Sequence, residues 1–284
     1  MNGYLGRYKE DIEKLLGLRH INGADFWATP EGGIAHGGAF STLEVSSLLA
    51  DLGYSPSSPE MVGAAHAILG NLKEDGRIRT FATGSIYPCQ TANAARTLCK
   101  LGYAQDSRLS TTYHYLLESQ HSDGGWRCNA SKYGKGPETV FSNPEPTLTV
   151  LDVFRYTEYL NSEKKLDKAV EFLLDHWTTR KPLGPCHYGI GTQFMKIEFP
   201  VHRYNILNYV YVLSFFDRAK KDERFLEALG IVKTRLSNGK IVVEHVDRKL
   251  KDLCSCKPNT EHELATKYYN GIIGNLDMQY RYSG

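Results

Sequence analysis

The stretch Cys89-Gln-Thr-Ala-Asn-Ala-Ala-Arg-Thr-Leu-Cys-Lys-Leu-Gly-Tyr103, read through to Gln120-His-Ser-Asp-Gly-Gly-Trp126, decides the fold class of this chain. Its first segment is rich in Ala and Leu with small residues on several faces, the composition of a helix enclosed on most sides. Gly102 is placed to end that helix. Asp106 then offers an N-cap, and Leu109, Tyr113, Leu116 and Leu117 recur at helical spacing with Arg108, His114 and Glu118 between them. The second helix therefore buries only one stripe. The Gly-rich turn from Gln120 to Trp126 closes the unit.

The same phrase recurs outward in both directions. An earlier copy runs from Phe40 to Tyr54 and from Pro59 to Gly76, with Pro59 suited to a first helical turn. Later copies pair Pro146–Leu160 with Ser162–Trp177, and His202–Phe216 with Asp222–Leu236, and a truncated copy covers Glu261–Leu276. First helices thus begin near residues 40, 89, 146, 202 and 262, a step of 49 to 60 residues. A further helix, Tyr4–Leu18, precedes the first full unit. Strand-like runs are few: Ile241-Val-Val243 and Phe194–Phe199 are the best, and neither implies a sheet.

About ten helices alternating between enclosed and amphipathic types cannot each bury their faces alone, so the units must pack side by side. With enclosed helices inside and amphipathic ones outside, the chain is expected to be all-α, an α/α toroid of about five helical hairpin repeats forming one domain over residues 1–284 around a central cavity. An open solenoid of the HEAT or tetratricopeptide kind is the alternative, but those repeats are shorter and lack a Gly-Gly-Trp turn.

Gln120, Gly124 and Trp126 fit the Gln-x-x-x-Gly-x-Trp turn of the terpenoid cyclase and protein prenyltransferase superfamily, which the chain resembles over residues 25–276 in repeat length as well. The motif is complete once; Thr29–Gly32, Asn71–Gly76 and Leu236–Gly239 read as degraded copies. The turn has a structural rationale: Gln can bond helix-end backbone, Gly permits positive φ, and Trp packs over the neighbouring helix. The Asp-x-Asp-Asp acid of protonation-initiated cyclases and the Asp-x-x-Asp-Asp/Glu diphosphate motif of ionisation-initiated synthases are both absent from the sequence. The prenyltransferase zinc pattern, Asp-x-Cys with a later His, is matched in part. Cys89 opens an inner helix but follows Tyr87 where the family has Asp; His202 opens an inner helix two units on; Asp252-Leu-Cys254 lies too late in the chain.

In a toroid the starts of the inner helices gather at one rim, which would bring together His36, Phe40, Cys89, Glu145, His202, His262 and Glu263. Zn²⁺ takes thiolate, imidazole and carboxylate ligands, so the candidate metal site is Cys89 with His202, and Cys128 as a third ligand. The candidate catalytic residues are His36, Glu145, His262 and Glu263. Cys254-Ser-Cys256 with His262 is a weaker metal pattern. Cys186-His187 as nucleophile and base suffers from adjacency, and Gly189-Ile-Gly191 lacks a preceding strand and reads as a turn. Tyr204, Tyr209, Tyr211, Tyr268 and Tyr269 fall on inner helices, where they suit core packing or an isoprenoid-lined cavity.

Composition bounds the function. The 34 Lys and Arg residues against 32 Asp and Glu give a net charge of +2, too small to predict a nucleic-acid or acidic-membrane partner by field alone. No apolar run approaches the ~20 residues that span a bilayer, and the first residues show no secretory signal, so a cytoplasmic protein with six free thiols or metal-ligating cysteines is expected. The expectations for function are three. One is a prenyltransferase- or cyclase-like enzyme, zinc-assisted, acting on an isoprenoid or other apolar small molecule. Another is a non-catalytic ligand-binding or protein-interaction scaffold. The third is a carbohydrate-active enzyme using paired carboxylates such as Glu145 and Glu263.

Overall fold

A computed structural model describes residues 6–281. About half of the chain is helical. Among the described residues there are eleven α-helices, with sheet confined to short strands. Tyr4 and Leu5, the first residues of the expected N-terminal helix, lie outside the described residues. No helix among those described is long and apolar enough to cross a membrane.

The chain forms two compact units, residues 1–118 with 247–256, and residues 119–246 with 257–284. The first holds α1 (Lys9–Gly17), α2 (Thr42–Asp51), α3 (Pro59–Leu69), α4 (Pro88–Leu98) and α5 (Ser110–Glu118). In it α2 packs on α3 and α4, and α4 packs on α3 and α5. The core gathers Leu15, Trp27, Ile34, Leu43 and Leu48, with Trp27 Nε1 donating to the Leu15 carbonyl at 3.0 Å.

The second unit holds α6 (Pro144–Phe154), α7 (Lys164–Thr179), α8 (Ile206–Leu213), the single turn α9 (Asp217–Lys220), α10 (Glu223–Lys233) and α11 (Glu263–Arg281). Here α6 packs on α7 and α8, and α8 in turn packs on α10 and α11. The enclosed and amphipathic types alternate as the sequence implies. Every residue of α6 except Glu145 is buried, whereas α10 buries the stripe Phe225, Ala228, Leu229 and Val232. In both units an enclosed helix contacts the next enclosed helix, one repeat later.

Several boundaries move. The helix expected over Pro146–Leu160 stops at Phe154, and residues 155–162 form turns closed by bonds such as Thr157 N to Phe154 O. The helix expected from His202 begins at Ile206, because the Asn205 side chain accepts from Asn208 N at 3.1 Å and caps it there. His202 is thus in a turn ahead of the helix. Lys240–Val243 (β3), expected to imply no sheet, is the middle strand of a three-stranded antiparallel sheet with β2 (Leu236–Ser237) and β5 (Thr260–Glu261); Glu198–Phe199 (β1) pairs in parallel with β4 (His245–Val246).

The Gly-Gly-Trp turn is itself clipped to the hairpin that follows it. Gln120 Nε2 donates to the Gly124 carbonyl at 2.6 Å and to the Lys165 carbonyl in the first turn of α7 at 2.7 Å. Gly124 has φ of 93°, and a Cβ there would stand 2.6 Å from the Lys168 carbonyl, so only glycine fits. Trp126 is fully buried; its N–H donates to Thr147 Oγ1 in α6 at 3.0 Å, and its carbonyl accepts from Asn143 N at 3.0 Å.

Two of the degraded copies make the same clip with Ile in place of Trp, whereas in the Thr29–Gly32 copy Ile34 N donates to the Thr80 carbonyl at 3.0 Å. Ile78 N donates to Thr91 Oγ1 in α4 at 3.1 Å, and a Cβ on Gly76 would meet the Thr111 carbonyl at 2.2 Å. Ile241 N donates to Thr266 Oγ1 in α11 at 2.9 Å, and its carbonyl accepts from His262 N at 2.8 Å. In each of the three clips the threonine is the fourth residue of the next enclosed helix.

Candidate functional site

The residues singled out in the sequence fall into both units. In the first, His36 is exposed in a turn, and Cys89 is the half-buried second residue of α4. In the second, Cys128 is buried, Glu145 is the half-buried second residue of α6, His202 is half-buried, and Glu263 opens α11. His262 is buried immediately before α11, where its Nδ1 accepts from Ala265 N at 3.1 Å while its ring stands 4.3 Å from that of Phe199. That nitrogen serves as a helix cap.

Cys128 meets a residue that the sequence reading paired differently. The Cys186 sulfur lies 3.4 Å from the carbonyl of Cys128 and 3.4 Å from that of Ser131. Its hydrogen bond with the Cys128 side chain, and then burial, push the Cys186 thiol well above the ordinary thiol range, so it stays protonated. His187 turns away, with Nδ1 at 3.5 Å from Glu138 Oε1. Cys186 and His187 are therefore not a nucleophile and its base. Cys128 N in turn donates to Asn143 Oδ1 at 2.7 Å. Among the described residues no group of three or more His, Cys, Asp and Glu side chains is arranged to hold a metal ion.

The second unit carries a cleft of about 470 Å³ along α7. Lys168, Glu171, Phe172, Asp175, His176 and Thr179 line it, spaced at the three- and four-residue steps of one helix face. The opposite wall is the Ser122-Asp123-Gly124 turn with Phe141 and Leu183. This size suits a small organic ligand. Phe141, Phe172 and Leu183 supply apolar surface. Charge sits at the rim: Glu171 and Asp175 are held by Arg224 at 2.6 and 2.7 Å. Burial acts to raise the Asp123 carboxyl, but bonds from Ser142 and the Gly125 N–H outweigh it and hold Asp123 below its ordinary range, an anion on one wall.

His176 is the one imidazole in the cleft lining, and both its nitrogens are engaged. Nε2 lies 2.9 Å from the Lys181 carbonyl, to which it donates, and Nδ1 lies 2.7 Å from Tyr204 Oη, from which it accepts. Burial lowers its pKa to about 4, and burial also raises the Tyr204 hydroxyl well above its ordinary range. The pair is neutral at physiological pH. Behind it Tyr204 and Tyr209 pack against Phe194 and Trp177, with centroids 4.8 Å (Phe194–Tyr204) to 6.4 Å (Tyr204–Tyr209) apart. These tyrosines are core. The sequence gives the helix, read as Ser162–Trp177, but not the cleft, because the partners Phe141 and Leu183 come from loops with no periodic signal.

No family model and no curated protein sequence matches this chain.

Proposed function

We propose that this chain is a helical-repeat protein of the terpenoid cyclase and protein prenyltransferase type, its repeats curling into an α/α toroid, and that it binds an apolar small molecule rather than transforming one. The observation that carries the binding assignment is the cleft along α7, whose aromatic and aliphatic surface is ringed by fixed charges. Its titratable groups favour binding over catalysis. His176 has no free nitrogen and stays neutral, and Asp123 spends its oxygens on Ser142 and the turn backbone. Neither is poised to move a proton to a ligand. The superfamily assignment is supported by the Gly-Gly-Trp clip and its repetition with Ile78 and Ile241.

Farnesol is a suitable probe of the cleft, with titration followed by the fluorescence of Trp177 and by thermal shift. Binding is expected in the wild type and should weaken about tenfold or more in Phe141→Ser, given the apolar area lost. Thr179→Arg, which intrudes on the cleft from the end of α7, should abolish it. Undiminished binding in both variants would remove the cleft from the account. Elemental analysis tests the scaffold against a metal-assisted enzyme: stoichiometric zinc in the wild type, lost in both Cys89→Ser and His202→Ala, would overturn the non-catalytic reading.

A further inference from the structure

Two neighbouring loops of the second unit carry an unusual combination of side chains. Tyr133 is 73% exposed, Val140 57% and Phe141 44%, three of the most exposed large hydrophobic residues described. They lie on the loop 129–141, which is stitched to the loop 180–187. Tyr133 N and Gly134 N both donate to the Pro185 carbonyl, at 2.9 and 3.0 Å, and Gly184 N donates to the Glu138 carbonyl at 2.9 Å. The lobe is thus a fixed structure.

Its charge is one-sided. Within these two loops the cationic side chains are Lys132, Lys135, Arg180 and Lys181, and the only carboxylate is Glu138. That carboxylate is turned inward: its Oε1 accepts from the N–H groups of Lys135 and Gly136 at 3.2 and 3.1 Å. Arg180 is partly engaged by Glu227 at 3.4 Å. Lys132, Lys135 and Lys181 are exposed and have no carboxylate partner among the described residues. The chain's net charge of +2 conceals this concentration.

We infer that this lobe docks onto an anionic lipid bilayer surface, inserting Tyr133 and Val140 at the headgroup level while the lysines face the lipid phosphates and carboxylates. The residue types fit that occupant better than an acidic protein. Tyrosine has an apolar body and a polar tip that suit the interface, and an aliphatic side chain gains by leaving water. Flexible lysine ammonium groups respond to a diffuse negative surface, whereas recognition of a discrete phosphate or carboxylate favours the bidentate arginine fork. The inference rests on the two loops alone, and holds whether or not the cleft takes a ligand.

The test is co-sedimentation of the full chain with phosphatidylcholine vesicles with and without phosphatidylserine. Binding is expected only to the phosphatidylserine vesicles and should weaken with added salt. Lys132→Glu/Lys135→Glu/Lys181→Glu should lose on the order of 100-fold in binding, from about fivefold per lysine. Tyr133→Ser/Val140→Ser should lose about tenfold or more from lost apolar burial. All five side chains are exposed, so unchanged thermal unfolding serves as the check on folding. Phe172→Ser, a cleft variant outside both loops, should lose farnesol and bind vesicles like the wild type, which separates this inference from the farnesol result. Equal binding to both vesicle types, no binding, or wild-type binding by either variant would overturn it. So would capture by polyglutamate without vesicle binding, which would point to an acidic protein instead.

Discussion

At the residue scale, the His176–Tyr204 pair makes the sharpest prediction. The unfolded chain takes up a proton on this histidine near its ordinary pKa of 6.5, whereas the folded chain resists until about 4. Between those values the unfolded state binds more protons, so stability is full above about 6.5 and falls as pH drops towards 4. The loss from this one group is of order 3 kcal/mol. Urea unfolding followed from pH 7 to pH 4 should show this slope, and His176→Phe should flatten it. Tyr204→Phe should destabilise by about 1–3 kcal/mol at pH 7, because the buried Nδ1 then lacks a donor. A histidine in position 176 is legible in the sequence. That it is pinned at both nitrogens is not, since the Lys181 carbonyl and the Tyr204 hydroxyl reach it through the chain's later path.

At the scale of elements, the repeat is held by a bond from backbone to threonine that recurs three times. Thr147, Thr91 and Thr266 each receive a backbone N–H, from Trp126, Ile78 and Ile241. Replacing Thr147 by Val keeps the shape and leaves the Trp126 N–H buried without an acceptor, so a loss of about 1–3 kcal/mol is expected in chemical denaturation. Thr91→Val should behave alike. Gly124→Ala and Gly76→Ala should each cost more than about 1 kcal/mol, since each adds a Cβ against a carbonyl at positive φ. The helices themselves were readable from apolar spacing and caps: Pro59, Gly102 and Asp106 do what their types predict. Helix starts were less so. His202 has the hydrophobic run behind it, yet Asn205 is the stronger cap and moves the start to Ile206.

At the scale of the molecule, the first compact unit is built from two distant stretches of chain. Asp11 in α1, almost wholly buried, accepts from Cys254 N at 2.8 Å and from Ser255 N at 2.7 Å. These are charge-assisted bonds between residues more than 240 positions apart. Asp11→Asn turns one acceptor into a donor facing a donor, so it should destabilise by about 2 kcal/mol, with amide exchange at Cys254 and Ser255 accelerated. Asp252-Leu-Cys254, which the sequence offered as a metal motif, lies in the segment that this carboxylate ties down. Nothing local to residues 247–256 reveals the tie, because the acceptor is at the other end of the chain.

The sequence by itself determined the helical class, the alternation of enclosed and one-faced helices, and the Gly-Gly-Trp turn. All of these follow from side-chain periodicity and backbone preference within some twenty residues. Tertiary structure alone decided that Ile78 and Ile241 stand in for Trp126, that Cys186 meets Cys128 rather than pairing with His187, and that α7 faces a cleft. Each of those depends on which distant surface arrives opposite a given side chain. Packing sets that encounter, and spacing along the chain does not encode it.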